Sequence, residues 1–275
     1  MLPPYVYCIR FVILINLGNA FLTPFCNVRT FGPRVRTFVP CQRRLTLEAH
    51  ASFRTYLELS DAMGIVYNAN WPLLYERTLS KRITGLDNKF ISPALLGDDI
   101  EIITTAASES NDSYNCEARV NGELVNSAEV FPCRPITSSM VADFDELEIQ
   151  PYHDELTSEG TLTAVSFLRY CERARTEKIG GPLSIQRGID EGVAIVVAKL
   201  SMDISPGQRI DMSSKLTIRS RAKLRRRKMA SFRHELYAMS TPDVAIASCD
   251  CTCLAMGALG RENEGVACDF LEWMI

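Results

Sequence analysis

Histidine is scarce in this chain. There are three in 275 residues, His50, His153 and His234, and their spacing makes neither a catalytic triad nor a ligand set. None of the ten cysteines stands in a CxxC pair, and no second cluster completes a zinc site, so no metal is expected. Nor is a disulfide framework legible in a chain of this size. No glycine-rich phosphate loop and no low-complexity tract appears, and no cofactor is expected. The net charge of -3 is too small for a general polyanion binder, so nucleic acid is not an expected partner. Residues 1–47 contain no Asp or Glu.

What is present reads as globular. The chain is 47% hydrophobic and 23% charged, which suits one large domain or two small ones. Cys249, Cys251 and Cys253 alternate in "CDCTC" and so share one face of a strand. Burial as small apolar side chains is the simpler reading of that run.

The acid-free N-terminus divides in two. Arg10 precedes the short apolar run "FVILINLGNA", which has the form of a signal peptide over residues 1–20. It is too short for a membrane span of about 20 apolar residues, so no stable span is expected once it is removed. Residues 21–47 carry Arg29, Arg34, Arg36, Arg43 and Arg44 with hydroxyl residues, the composition of a transit peptide. "NA" followed by "FLTP" resembles the two-part plastid presequence of algae with complex plastids. A plastid address is therefore expected, with secretion behind a basic propeptide as the alternative.

The remainder repeats. "WPLLYERTLSKRI" from Trp71 aligns with "FLRYCERARTEKI" from Phe167 at a constant offset of 96 (71 to 167), and Gly64 falls on Gly160. Downstream, Pro93 falls on Pro206, an offset of 113 (93 to 206), so the first copy lacks about 17 residues that the second spends on "GGPLSIQRGIDEGVAI". Each copy reads as a leading strand, one long helix and an antiparallel run of strands. Asn121-Gly122 marks a hairpin in the first copy and Thr241-Pro242-Asp243 a turn in the second. A single sheet with one helix must bury that helix against its concave face. The expected division is residues 48–135, a linker 136–150, residues 151–260 and a tail 261–275.

The pattern D-x-x-G-[IV]-V-Y-x-A-N-[YW], here Asp61 to Trp71, followed by a helix ending in Glu-Arg and a "GD" before a strand, resembles the hotdog-fold thioesterases of the 4-hydroxybenzoyl-CoA thioesterase type. The resemblance implies an α+β fold of two tandem hotdog domains. It also implies an intramolecular pseudo-dimer, with higher homo-oligomers left open, and hydrolysis of acyl-CoA or acyl-carrier-protein thioesters. Asp61 corresponds to the family's catalytic aspartate, as nucleophile or as base for water. Amides near Gly64, Ile65 and Val66, at a helix N-terminus, would polarise the thioester oxygen. Asn68 stands where many relatives have His. It can donate a hydrogen bond but cannot titrate.

An aspartate near a helix start is often a cap. Asn68 and Asn70 lie nearer the expected start, with Pro72 in the first turn, and are the better cap candidates. The second copy has Thr157 in place of Asp61 and is expected to be silent there. It carries instead the basic run around Arg226, Arg227 and Lys228, where the resembling family binds coenzyme A phosphates. Glu76 and Glu172, each followed by Arg, fit a structural ion pair. Glu172 is the reserve catalytic candidate. The competing readings are a non-catalytic double hotdog that binds acyl-CoA or a partner, and a dehydratase. A dehydratase would want a His that neither front motif has.

Overall fold

The computed structural model describes residues 48–60, 65–107, 112–138, 144–258, 266–271 and 274. Among these residues, ten antiparallel strands form one sheet. In chain order they are β1 (Glu48–Arg54), β2 (Gly85–Phe90), β3 (Asp99–Ala106), β4 (Tyr114–Val120), β5 (Glu123–Phe131), β6 (Asp145–Ile149), β7 (Val193–Ile204), β8 (Leu216–Arg226), β9 (Met229–Ala238) and β10 (Ala245–Gly257). Three α-helices accompany them among the described residues: α1 (Trp71–Leu79), α2 (Ala164–Lys178) and α3 (Pro182–Asp190).

The spatial order is β1-β3-β4-β5-β2-β7-β10-β9-β8-β6, a palindrome in which the second five strands repeat the first five reversed. The two halves meet where β2 pairs with β7, Gly85 opposite Asp203 and Lys89 opposite Lys199. Two separate sheets would each leave an edge open there, and pairing them satisfies both rows of backbone groups. Arg134 clasps the seam on the outer face, with its guanidinium on Asp87 at 3.2 Å and Asp203 at 3.0 Å.

The sequence repeat persists in local geometry. An isolated bridge joins Ser60 to Val66, and its counterpart at offset 96 joins Leu156 to Leu162. A short 3-10 turn over Leu57–Leu59 answers one over His153–Glu155. The Asn121-Gly122 hairpin forms with both residues at positive φ, 52° and 83°, as a tight two-residue turn requires.

The helices differ more than the repeat suggests. α2 runs 15 residues, with Thr163 Oγ1 accepting from the Ser166 amide at 3.1 Å and Arg175 and Lys178 in its last turn. Its apolar side, Phe167, Leu168, Cys171 and Ala174, is buried. α1 spans only nine residues, with Pro72 in its first turn. A 3-10 turn over Asn68–Asn70 precedes it. Asn70 takes the N-cap position but makes no side-chain cap hydrogen bond: its Nδ2 donates back to the Leu59 carbonyl at 3.1 Å, tying the helix start to the strand-side loop. The 17-residue difference is largely α3, which packs on α2 and β7 and has no counterpart in the first half.

The core lies between the helices and the inner sheet face. Leu74, Leu86, Ile100 and Ile102 of the first half and Leu200, Met202, Leu216 and Ile218 of the second are fully buried. Each contributes about 1.5–3 kcal/mol relative to exposure. Cys249, Cys251 and Cys253 are buried in this layer, while Asp250 between them is exposed. The tail also docks. Phe270 donates its amide to the Arg227 carbonyl at 2.8 Å, and Met274 packs against Val193 and Ala255.

Candidate active site

The groove between the first half's entry to α1 and the second half's α2 collects the chemistry. Its outer part, about 420 Å³, is lined by Glu58, Ser60, Tyr67 and Asn70 from the first half and by Arg169, Glu172, Arg173, Thr176, Glu177 and Pro182 from the second. An inner recess of about 50 Å³ continues from it between Asn68 and the apolar side chains of Ile179, Ile185, Ile195, Val197 and Phe232. Glu172 and Thr176 border both spaces, so a carboxylate stands where the polar groove meets the apolar recess.

Glu172 is one-third exposed and is held by Arg175, one turn on along the same face of α2. Arg175 is buried. Its Nη1 also donates to Cys251 Sγ at 3.3 Å, and the carboxylate keeps its guanidinium protonated despite the burial. The arginine that follows Glu172 turns to a different carboxylate. Arg173 pairs with Glu155, and Glu76 Oε1 accepts the Ile83 amide at 3.0 Å. Burial pushes the Glu76 carboxyl above its usual range, so the two helix glutamates, equivalent in sequence, have different surroundings.

Tyr67 was not singled out from the sequence. Its signal was its place between the glycine and the asparagines of the front motif. Burial, with the Glu172 charge beside it, pushes its phenol well up, so it is protonated at neutral pH and has a proton to donate. Asn68 reaches the recess from the same segment.

Asp61 and Gly64 lie outside the described residues. Of the amides expected as oxyanion donors, Val66 N–H is occupied by the Ala94 carbonyl at 2.8 Å, and Ile65 forms a strand bridge with Leu95. The Val66 expectation is therefore corrected: that amide is committed to the segment between β2 and β3. In the second half, Thr157 Oγ1 accepts from the amides of Glu159 and Thr161 and contacts Thr161 Oγ1 at 2.8 Å, so this hydroxyl has a structural task.

Arg226, Arg227 and Lys228 occupy the β8–β9 turn and line neither part of the groove. Arg227 faces Asp269 of the tail at 3.7 Å, and Lys228 Nζ donates to the Ala267 carbonyl at 2.9 Å. The cations that do line the groove are Arg169, Arg173 and Arg175.

Comparison with solved structures places the architecture. A Lactobacillus plantarum protein assigned as an oleoyl thioesterase superposes with a TM-score of 0.58 at 5% identity, covering 77% of this chain and 97% of that one. The 12:0-ACP thioesterase of Umbellularia californica gives 0.54 at 9% identity, over 76% and 94%. An acyl-ACP thioesterase of Bacteroides thetaiotaomicron gives 0.51 at 7%, over 75% and 97%. The chain is a double hotdog. At these identities the likeness is one of fold. No family model matches the sequence, and no curated protein matches it. The double hotdog's palindromic sheet order accounts for the groove, because it brings the front segment of one half against the helix of the other. No helix among the described residues is long and apolar enough to cross a membrane.

Proposed function

We propose that this double hotdog hydrolyses acyl thioesters carried on coenzyme A or acyl carrier protein, at the groove between its halves. The observation that carries the reading is Glu172, a carboxylate fixed by Arg175 at the junction of a polar groove and an apolar recess, facing Tyr67 and Asn68 of the other half.

The chemistry follows from those groups. The thioester carbonyl sits at the junction with its acyl chain toward the recess. A carboxylate takes a proton from water, and the water oxygen bonds to the carbonyl carbon. The Tyr67 hydroxyl and the Asn68 amide donate to the oxygen as it gains charge, and a single such donor is worth roughly 3 kcal/mol. The tetrahedral adduct then breaks its C–S bond, and the proton returns to the leaving sulfur, giving a free acid and a thiol. Glu172 and Asp61 are the two candidates for the carboxylate. Asp61 directly follows Ser60, which lines the groove.

Thiol release from a panel of acyl-CoA and acyl-carrier-protein thioesters tests this, with Glu172→Gln and Asp61→Asn alongside the parent protein. Loss in one variant names the base. Loss in both makes the two carboxylates partners. No release from any thioester, with acyl-CoA still bound, would favour the binding-protein reading, in which Glu172 serves only its pair with Arg175. We further propose a plastid address for residues 1–47. A fluorescent fusion of that segment retained in the secretory pathway would refute it.

A further inference from the structure

The outer face of the second half's sheet, opposite the helices and the groove, carries a second concavity of about 320 Å³. Strand register explains its composition. Side chains of adjacent strands stand in lateral rows, and alternate rows face opposite sides. The row Ala222, Phe232, Cys251, Leu200 lies toward α2. The next row outward is Lys223, Ser231, Thr252, Lys199, with a cation at each end and two hydroxyls between them. Across four strands it spans about 14 Å, three interstrand spacings. The row on its other side is Arg221, Arg233, Asp250, Ser201.

The charges do not cancel. Arg233 is matched by Asp250 and by Glu235. Asp250 is the only acid among the lining residues. Arg221 lies directly opposite Arg233 in the ladder and sets its guanidinium over the Phe144 ring, 5.3 Å from the centroid, with no carboxylate of its own among the described residues. Arg225 adds a further guanidinium and donates from Nε to Ser231 Oγ at 2.9 Å. No carboxylate among the described residues forms an ion pair with Lys199, Arg221, Lys223 or Arg225. Guanidinium forks and hydroxyl donors on a rigid sheet are the recognition set for phosphate oxygens. The volume falls at the lower end of the range for small-molecule sites.

We propose that this concavity binds a small phosphorylated ligand presenting adjacent phosphates, separately from the groove on the other face. The overall charge of -3 means that the attraction is local to this face, which fits a compact diphosphate better than a long polyanion.

Calorimetric titration of the full chain with inorganic pyrophosphate, and separately with ATP, tests the site. Saturable binding that weakens with added salt is expected, falling roughly tenfold or more in Lys199→Ala/Lys223→Ala. Both lysines are exposed, so the variant should keep its melting temperature and any thioester hydrolysis. Tighter binding of ATP than of pyrophosphate would assign the ligand to nucleotides, and equal binding would assign it to free diphosphate. Absence of saturable binding, or binding untouched by the double substitution, overturns the proposal. So does a dimer in light scattering that dissociates in Lys199→Glu/Lys223→Glu, because the face would then belong to a second copy of the chain.

Discussion

Glu172→Gln should destabilise the protein through the residue it leaves behind. In the native state the Arg175 guanidinium is buried and Glu172 is its carboxylate partner. Removing one member of a fully buried pair costs about 3–5 kcal/mol, because the other charge is left uncompensated. Two features reduce that figure. The carboxylate is one-third exposed and is already partly screened. Arg175 also keeps its contact with Cys251 Sγ at 3.3 Å, and the Cys251 thiol is held well below its usual range, first by Cys253 and then by Arg175 and His234. A loss of about 2–3 kcal/mol is therefore expected, or roughly 4–12 °C in melting temperature. Arg175→Met behaves differently. It removes the buried cation, fills much of its volume and leaves Glu172 able to hydrate, so it should cost within about 1 kcal/mol. The double variant Glu172→Gln/Arg175→Met should resemble Arg175→Met alone. Urea unfolding of the four proteins gives the coupling energy directly. If Glu172→Gln is as stable as the parent, or if the double variant loses the sum of the singles, the uncompensated-charge argument is refuted.

Other expectations follow from single positions. Burial holds the His234 imidazole below its ordinary pKa, with Ser220, Cys251 and Arg175 around it. Below about pH 6.5 the unfolded chain takes up this proton while the folded chain does not, so stability should fall as the pH drops, and the slope should flatten in His234→Gln. Asn88 is fully buried and neither of its side-chain polar atoms has a hydrogen-bond partner among the described residues, so Asn88→Leu should raise stability by about 1–2 kcal/mol in urea unfolding. A Cβ on Gly85 would meet the Phe131 carbonyl oxygen at 2.7 Å and its ring at 2.4 Å, so Gly85→Ala should cost about 1–3 kcal/mol by strand displacement, read as a lower urea midpoint. Ile185→Ala should enlarge the recess and raise kcat/KM for longer acyl thioesters relative to shorter ones.

The repeat was legible because identical local physics left identical spacing. The offset of 96 holds in the structure between the bridges Ser60–Val66 and Leu156–Leu162, and the Asn121-Gly122 hairpin forms where its turn residues put it. "CDCTC" was legible as core for the same reason, and its inward face holds the three cysteines. Cap residues were less legible. Asn70 has the right chemistry for a cap but finds the Leu59 carbonyl nearer, a partner supplied by a separate loop. The seam between β2 and β7 is a pairing across about 115 residues that no local pattern encodes (Lys89 to Lys199, or Gly85 to Asp203). The cationic run at Arg226–Lys228 read as a site because it falls where the resembling family binds coenzyme A phosphates. Its engagement by Asp269 and Ala267 depends on where the tail docks. Glu172 was visible as one of two matching glutamates and as the reserve catalytic candidate. What separates it from Glu76 is the company each keeps: Arg175 and the groove for one, the Ile83 amide for the other.

Joining the halves through β2 and β7 also changes how the molecule can vary. In a pair of identical subunits every substitution is made twice, so a residue useful at one site is imposed on the other. Here each position is written once. The fused chain has Leu59 where its mirror has Glu155, and Tyr75 where its mirror has Cys171. Those differences lie in the buried layer, where a doubled change would have to fit two environments at once. One covalent chain lets the two faces of an originally symmetric plan drift apart, one toward a groove walled by α3 and the other toward plain packing.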